Sequence, residues 1–263
     1  MLSQTEKLLH GENISPSVYD SQIAFNVISA GNLEDNFYTD EEMKISNETK
    51  AILKNFATIN SGIKVDSGNQ LKTISNMKNI LAVANVPETF DREFSIYNLV
   101  EFLGATSLME NPDYNFNEAS LSIADSDTSL TYFYESEGMV MSPEKMITMP
   151  DAEITIDLSS TLLNELQKAA SVLGVNDLVL TSDGTKIEFQ VTDKKNATSN
   201  TFSRTVCEGN GSSFTMNFKI ENLKVLYGNY TVAVSSKGIS NFKNKDIDLE
   251  YFIALEPDSS YNA

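Results

Sequence analysis

The chain has 263 residues, 41% hydrophobic and 21% charged, the balance of a folded soluble protein with length for two domains of roughly 100 to 120 residues. Its 37 acidic residues against 19 Lys and Arg give a formal net charge of −18, which excludes general adhesion to DNA through many clustered cations. No apolar run approaches the roughly 18 residues of a membrane span, and residues 1–20 do not read as a signal peptide, so an intracellular protein is expected.

Residues 1–43 are a segment apart. They hold eight acids (Glu6, Glu12, Asp20, Glu34, Asp35, Asp40, Glu41 and Glu42) against Lys7, a net −7 that leaves −11 for the other 220 residues. From Ile45 the pattern turns periodic. The stretch ISNETKAILKNFATINSGI predicts a helix over 46–60, capped by Ser46, with Ile52, Leu53, Phe56 and Ile59 on its buried face and Gly62 as a left-handed stop. Lys50 and Lys54, one turn apart, point away from that stripe and invert the local charge. Extended runs follow at 63–65, 71–75 and 80–86. A second helix is expected over 96–109, with Leu99, Phe102, Leu103, Thr106 and Met109 on one face, then strands at 121–124 and 130–134.

A linker over 142–151 is bounded by Pro143 and Pro150. Met139, Met141, Met146 and Met149 crowd this stretch, and their unbranched, polarizable side chains suit a surface that receives varied apolar partners. The second half repeats the order of the first. It opens with a strand at 153–156 and a helix over 158–173, capped by Asp157 or Ser159, stopped by Gly174 and buried along Leu162, Leu166, Ala169, Ala170 and Leu173. A hairpin about Asp183-Gly184 joins runs 177–181 and 186–192. Strands at 202–207 and 214–219, a short helix near 221–226, and strands at 230–235 and 249–255 complete the chain, with the single cysteine, Cys207, expected to pack at a strand end. The expected fold class is α+β, in two similar domains at 44–141 and 152–263.

Catalytic chemistry finds little purchase. His10, the one histidine, lies in the divergent front segment, so neither a Ser-His-Asp nor a Cys-His arrangement can be assembled in the repeated part. Cys/His metal clusters and Gly-rich phosphate loops are both missing. Asp125 and Asp127 in ADSDTS lack the glycine and distal glutamate of a calcium loop and read as a turn between strands. No enzyme, cofactor or metal is expected.

Specific residues do suggest a family. Leu53-Lys54-Asn55-Phe56-Ala57-Thr58-Ile59-Asn60-Ser61-Gly62-Ile63 resembles the first helix of the sliding clamps of T-even-type bacteriophages, the processivity factors of their replicative DNA polymerases. Phe102-Leu103-Gly104, Ser122-Ile123-Ala124-Asp125, Met216-Asn217-Phe218-Lys219-Ile220, Gly228-Asn229-Tyr230 and Ala254-Leu255-Glu256 with Asp258-Ser259 are similar in the same order, over about residues 44–263. The resemblance implies a ring of three identical subunits, sheets outside and helices inside. Lys50 and Lys54, with Lys168 and Lys224 on the corresponding second-half helices, would then face the phosphates of double-stranded DNA as a soft, non-specific cushion. The helix over 96–109 departs from that pattern, carrying Glu101 and no Lys or Arg.

The resemblance further implies closure between sheet edges, Thr131, Tyr132 and Phe133 of one subunit against Phe202, Arg204 and Val206 of the next. Partner tails would insert between Met146, Ile147, Met149, Leu255 and Pro257. The implied partners are the replicative polymerase, an ATP-dependent clamp loader, and a late-transcription sigma-type factor with its co-activator, in the cytoplasm of an infected bacterial host. The front segment has no counterpart in the family. Either translation begins at Met43 or the extension is real. In the latter case it is a disordered acidic tail, or Leu33-Glu34-Asp35-Asn36-Phe37-Tyr38, which is similar to clamp-binding tails, competes for a partner pocket. Competition predicts that deleting residues 1–42 raises affinity for a polymerase tail peptide, and an unchanged affinity removes it. The alternative function is a phage structural β-protein of tail or capsid.

Overall fold

The computed structural model describes residues 43–136 and 138–262. Among them lie three helices, α1 (Asn47–Ile59), α2 (Leu99–Thr106) and α3 (Ser160–Leu173). The strands of the first half are β1 (Ile63–Val65), β2 (Gly68–Ile74), β3 (Ile80–Phe90), β4 (Phe94–Ile96), β5 (Asp113–Phe116), β6 (Ser120–Ala124) and β7 (Ser129–Phe133). Those of the second are β8 (Ile154–Leu158), β9 (Asp177–Asp183), β10 (Lys186–Thr192), β11 (Phe202–Glu208), β12 (Ser213–Lys219), β13 (Tyr230–Ser235), β14 (Ile239–Asn244), β15 (Leu249–Ala254) and β16 (Ser260–Asn262).

One eight-stranded sheet, in the order β4-β1-β2-β3-β15-β14-β13-β8, runs through both halves. Its seam is the antiparallel pairing of β3 with β15, in register from Ile80 opposite Ile253 to Ala84 opposite Leu249. Both faces are covered there, so the seam stretch of β3, Ile80 to Ala84, is apolar without alternation. Ile80, Ala82 and Ala84 join the main core, while Leu81 and Val83 join Phe252 in a small far-face cluster flanked by Ile74, Met149 and Ile239. A three-stranded sheet, β5-β6-β7, completes the first half, and a five-stranded sheet, β11-β10-β9-β12-β16, completes the second. Helix α1 packs on α2, β2 and β3, and α3 packs on β10.

Local chemistry sets the helix ends. Ser46 and Ser159 cap α1 and α3, their hydroxyls accepting from Thr49 N and Leu162 N, and Gly174 closes α3 at φ 66°. Leu163 is the deepest residue at the start of the α3 stripe, with Leu162 only half-buried against the core. Helix α1 ends differently from expectation. Asn60 is extended, and Gly62 has no positive φ but passes so close to β4 that a Cβ would lie 2.8 Å from Ile96 O and 2.9 Å from Tyr97 O. Helix α2 is shorter than expected because Ile96 enters β4, leaving Asn98 to cap the helix by accepting from Glu101 N.

The helix expected over 221–226 is a single 3-10 turn at Ile220–Asn222. Buried Leu223 and Val225 flank exposed Lys224, a two-residue alternation that a helix cannot satisfy. Strand β7 ends at Phe133, so Tyr134 lies beyond it, stacked on Phe94 at 5.4 Å. Cys207 is exposed on β11, where it was expected to be packed.

Buried Glu88 of β3 holds the start of α1, accepting from Ser46 N and from the Thr49 hydroxyl. Burial pushes its carboxyl up, but the donated hydrogen bonds outweigh it, and the net pKa lies below the ordinary 4.5. Such a group stabilises the fold in full above the unfolded value and loses that contribution as pH falls through the folded one. Glu88→Gln is expected to cost about 1–3 kcal/mol at pH 7. In denaturant melts the gap from wild type should close as pH falls below about 4.5. Gly62→Ala should destabilise by about 1–3 kcal/mol through backbone overlap, read as a lower melting midpoint.

Candidate functional site

Helices α1 and α3 carry the cations that sequence analysis singled out. Lys54 and Lys168 are exposed and Lys50 half-exposed, and none of the three forms an ion pair among the described residues. They are balanced on the helices by Glu48, Glu101 and Glu165, so the helical surface is neutral and the chain's whole acid excess lies elsewhere. The outer surface of α2 is apolar or acidic, with Val100 and Glu101 exposed, and Leu108 is exposed just beyond its end. A shallow groove between α1 and α2 is lined by Lys54, Ala57, Val100, Leu103, Gly104 and Ser107.

Lys224 is placed otherwise. It is exposed but lies off any helix, and its ammonium donates to Thr58 O at 2.7 Å, on the last turn of α1. That turn has no basic residue of its own, and a cation suits its unpaired carbonyls.

Of the six strands that end a sheet, β7 ends the three-stranded sheet and β11 one side of the five-stranded sheet. On β7, Thr131 and Phe133 are exposed, Phe133 at 73%, while Tyr132 is half-buried edge-on to Phe102. Burial, with Glu101 nearby, pushes the Tyr132 hydroxyl up. On β11, Phe202 and Val206 rest against the core, and Arg204 reaches Glu165 of α3 at 3.8 Å.

The linker 142–151 has no helix or strand but is pinned at both ends. Asn60 donates to Met141 O at 2.9 Å and Ser235 donates to Asp151 O at 2.8 Å. Met146 and Ile147 are exposed, and Met149 packs on the far-face cluster of Leu81, Val83 and Phe252. Leu255 departs from expectation: it is buried in the main core, while Pro257 is exposed just beyond it. The far-face cluster itself was missed, because Leu81 and Val83 look like ordinary strand residues until β15 brings Phe252 beside them. Leu33, Glu34, Asp35, Phe37 and Tyr38 lie outside the described residues.

Among the described residues no group of acids, His and Cys could hold a metal, and no helix is long and apolar enough to cross a membrane. Asp125 accepts from Asp127 N and Thr128 N in the turn between β6 and β7.

Family models match in two blocks, "DNA polymerase processivity factor" over residues 44–141 and "gp45 sliding clamp, C terminal" over 155–257. The sliding clamp of Vibrio phage KVP40 is 32% identical over 221 residues, covering 81% of this chain and 99% of that relative. The chain belongs to the phage sliding clamps. The sliding clamp of Enterobacteria phage T4 is 31% identical, with 84% of this clamp and all of the relative covered. The fold extends further: the PCNA of Thermococcus kodakaraensis matches at a TM-score of 0.63 and 14% identity, over 82% of this clamp and 99% of that chain. A. fulgidus PCNA, solved with the C-terminal region of FEN-1 bound, matches at 0.60 and 12%, over 80% and 96%. A model of the semialdehyde dehydrogenase dimerisation domain also matches residues 1–66, whose described part is the α1 and β1 of the clamp fold. The protein is thus a DNA polymerase processivity factor, and the structural β-protein alternative falls away.

Because both partners are substantially exposed, the Arg204–Glu165 pair is worth little to the fold. Glu165→Gln should shift unfolding free energy by less than about 1 kcal/mol in urea melts.

Proposed function

We propose that three copies of this clamp close into a ring around double-stranded DNA and act without catalysis, as a mobile tether for the replicative polymerase. The observation that carries this reading is that a strand ending a sheet in each half, β7 in the first and β11 in the second, carries apolar side chains. Two different edges on one chain make a head-to-tail contact that closes only by rotation, and burying them removes two templates for aggregation. Phe133, exposed on β7, and the half-buried Phe202 and Val206 on β11 supply apolar side chains to such an interface.

The channel face of the ring is the helical layer. Lys50, Lys54 and Lys168 meet phosphate there, and a surface that is neutral overall and carries only scattered cations suits sliding rather than fixed binding. Encirclement then supplies the retention that a chain of net charge −18 cannot obtain from affinity. An ATP-dependent loader opens the ring. The polymerase, and a late-transcription sigma-type factor with its co-activator, dock tails on the linker side, against Met146, Ile147 and Met149. The half-buried Met149 on an apolar cluster supports this placement. The clamp works in the cytoplasm of the infected host.

Sedimentation should give a mass near three times the 29.1 kDa of one chain. Phe133→Asp should shift it to one, and a monomeric wild type would overturn the ring. Changing Lys50, Lys54 and Lys168 together to Glu should leave the trimer intact and reduce processive synthesis on primed circular DNA by an order of magnitude or more. Full processivity in that variant would show that these lysines do not face DNA.

A further inference from the structure

The segment Ile220–Leu226 does nothing in the reading above, yet it is tied on several sides. Its first residue donates from Ile220 N to Asn176 O at 2.9 Å, just past the end of α3. Asn222 accepts from Asn79, ahead of β3, at 3.0 Å. Gln167 of α3 donates its amide to Leu223 O at 3.2 Å, and Asn55 of α1 donates its amide to Lys224 O at 3.0 Å. The Lys224 ammonium returns to α1 at Thr58 O, 2.7 Å. Leu226 N donates to the Tyr251 hydroxyl at 3.0 Å, that hydroxyl donates to Asn55 Oδ1 at 2.7 Å, and Leu226 O accepts from Tyr230. Buried Leu223 and Val225 anchor the segment in the core.

The two amides occupy telling positions. Asn55 follows Lys54, and Gln167 precedes Lys168. Successive carbonyls of one short segment, Leu223 O and Lys224 O, therefore hold the two helices at the residues adjoining their exposed lysines. Burial raises Tyr230 to about 12 and Tyr251 further, so both hydroxyls keep their protons and stay donors at any working pH.

We infer that Ile220–Leu226 is a strut that fixes the spacing of Lys54 and Lys168 across the two halves, with Asn55, Gln167 and Lys224 as positioning residues. Lys224, its ammonium committed to the end of α1, is on this account no phosphate ligand. The inference rests on the reading of Lys54 and Lys168 as DNA-facing. Its physical basis is that a cushion of few cations matches the phosphate spacing only if the helices bearing them cannot drift.

The test is a salt titration of binding to a short linear duplex, with sedimentation and thermal melts confirming a folded trimer for every variant. Asn55→Ala with Gln167→Ala should flatten the slope of log K against log[salt], by about 0.9 for each phosphate no longer neutralised, although every lysine remains. Lys54→Ala with Lys168→Ala should flatten it as well, and in that background Asn55→Ala, Gln167→Ala and Lys224→Met should add nothing. A native slope in the double amide variant overturns the strut. A further drop from Lys224→Met in the Lys54→Ala, Lys168→Ala background overturns the positioning role of Lys224 and makes it a phosphate ligand. If Lys54→Ala with Lys168→Ala keeps the native slope, the DNA-facing reading itself fails and the strut falls with it.

Discussion

The pairing of β3 with β15 is the constraint on which the rest of the molecule depends. It makes one sheet of two halves, so the first half cannot tilt against the second without breaking a ladder in mid-sheet. Asn85 reinforces it, meeting the Asp248 backbone and carboxylate at 2.9 and 2.7 Å, and Ala254 N donates to Asn79 O. Covering both faces of the seam, with the main core on one side and Met149 over Leu81, Val83 and Phe252 on the other, shields those hydrogen bonds from water.

Charge is segregated with the same economy. The helical surface holds three lysines and three glutamates, and the sheets, loops and front segment carry the acid excess. Several of the remaining cations are tied to carboxylates on strands, such as Lys72 with Asp66 at 2.7 Å and Lys219 with buried Asp177. Lysines that are unpaired on helices and paired on strands set a locally neutral helical surface apart from a strongly acidic remainder.

Local features were legible in the sequence. The caps at Ser46, Ser159 and Gly174 and the hairpin about Asp183-Gly184 act within a few residues and stand where they were expected. Short or polar strands were not. Phe94–Ile96 has three residues, and Ile239–Asn244 alternates so many polar groups that only its neighbours β13 and β15 make it a strand. Gly62 looked like a helix stop because its close approach to β4 depends on a strand not yet recognised. The site was half visible. Lysine spacing on α1 and α3 is a local pattern, whereas Glu88 is one acid among 37 until folding sets it under α1, and Asn55 meets Tyr251 across 196 positions of sequence.

Cys207 carries a practical consequence. It is the sole thiol of the chain, exposed, and set on the free edge strand β11. A thiol-reactive fluorophore would therefore label one atom per chain, on a strand that ends a sheet, with no engineered cysteine required. In the unassembled chain the same placement leaves the thiol open to oxidation, so a dilute preparation kept without reductant collects disulfide-linked pairs through β11.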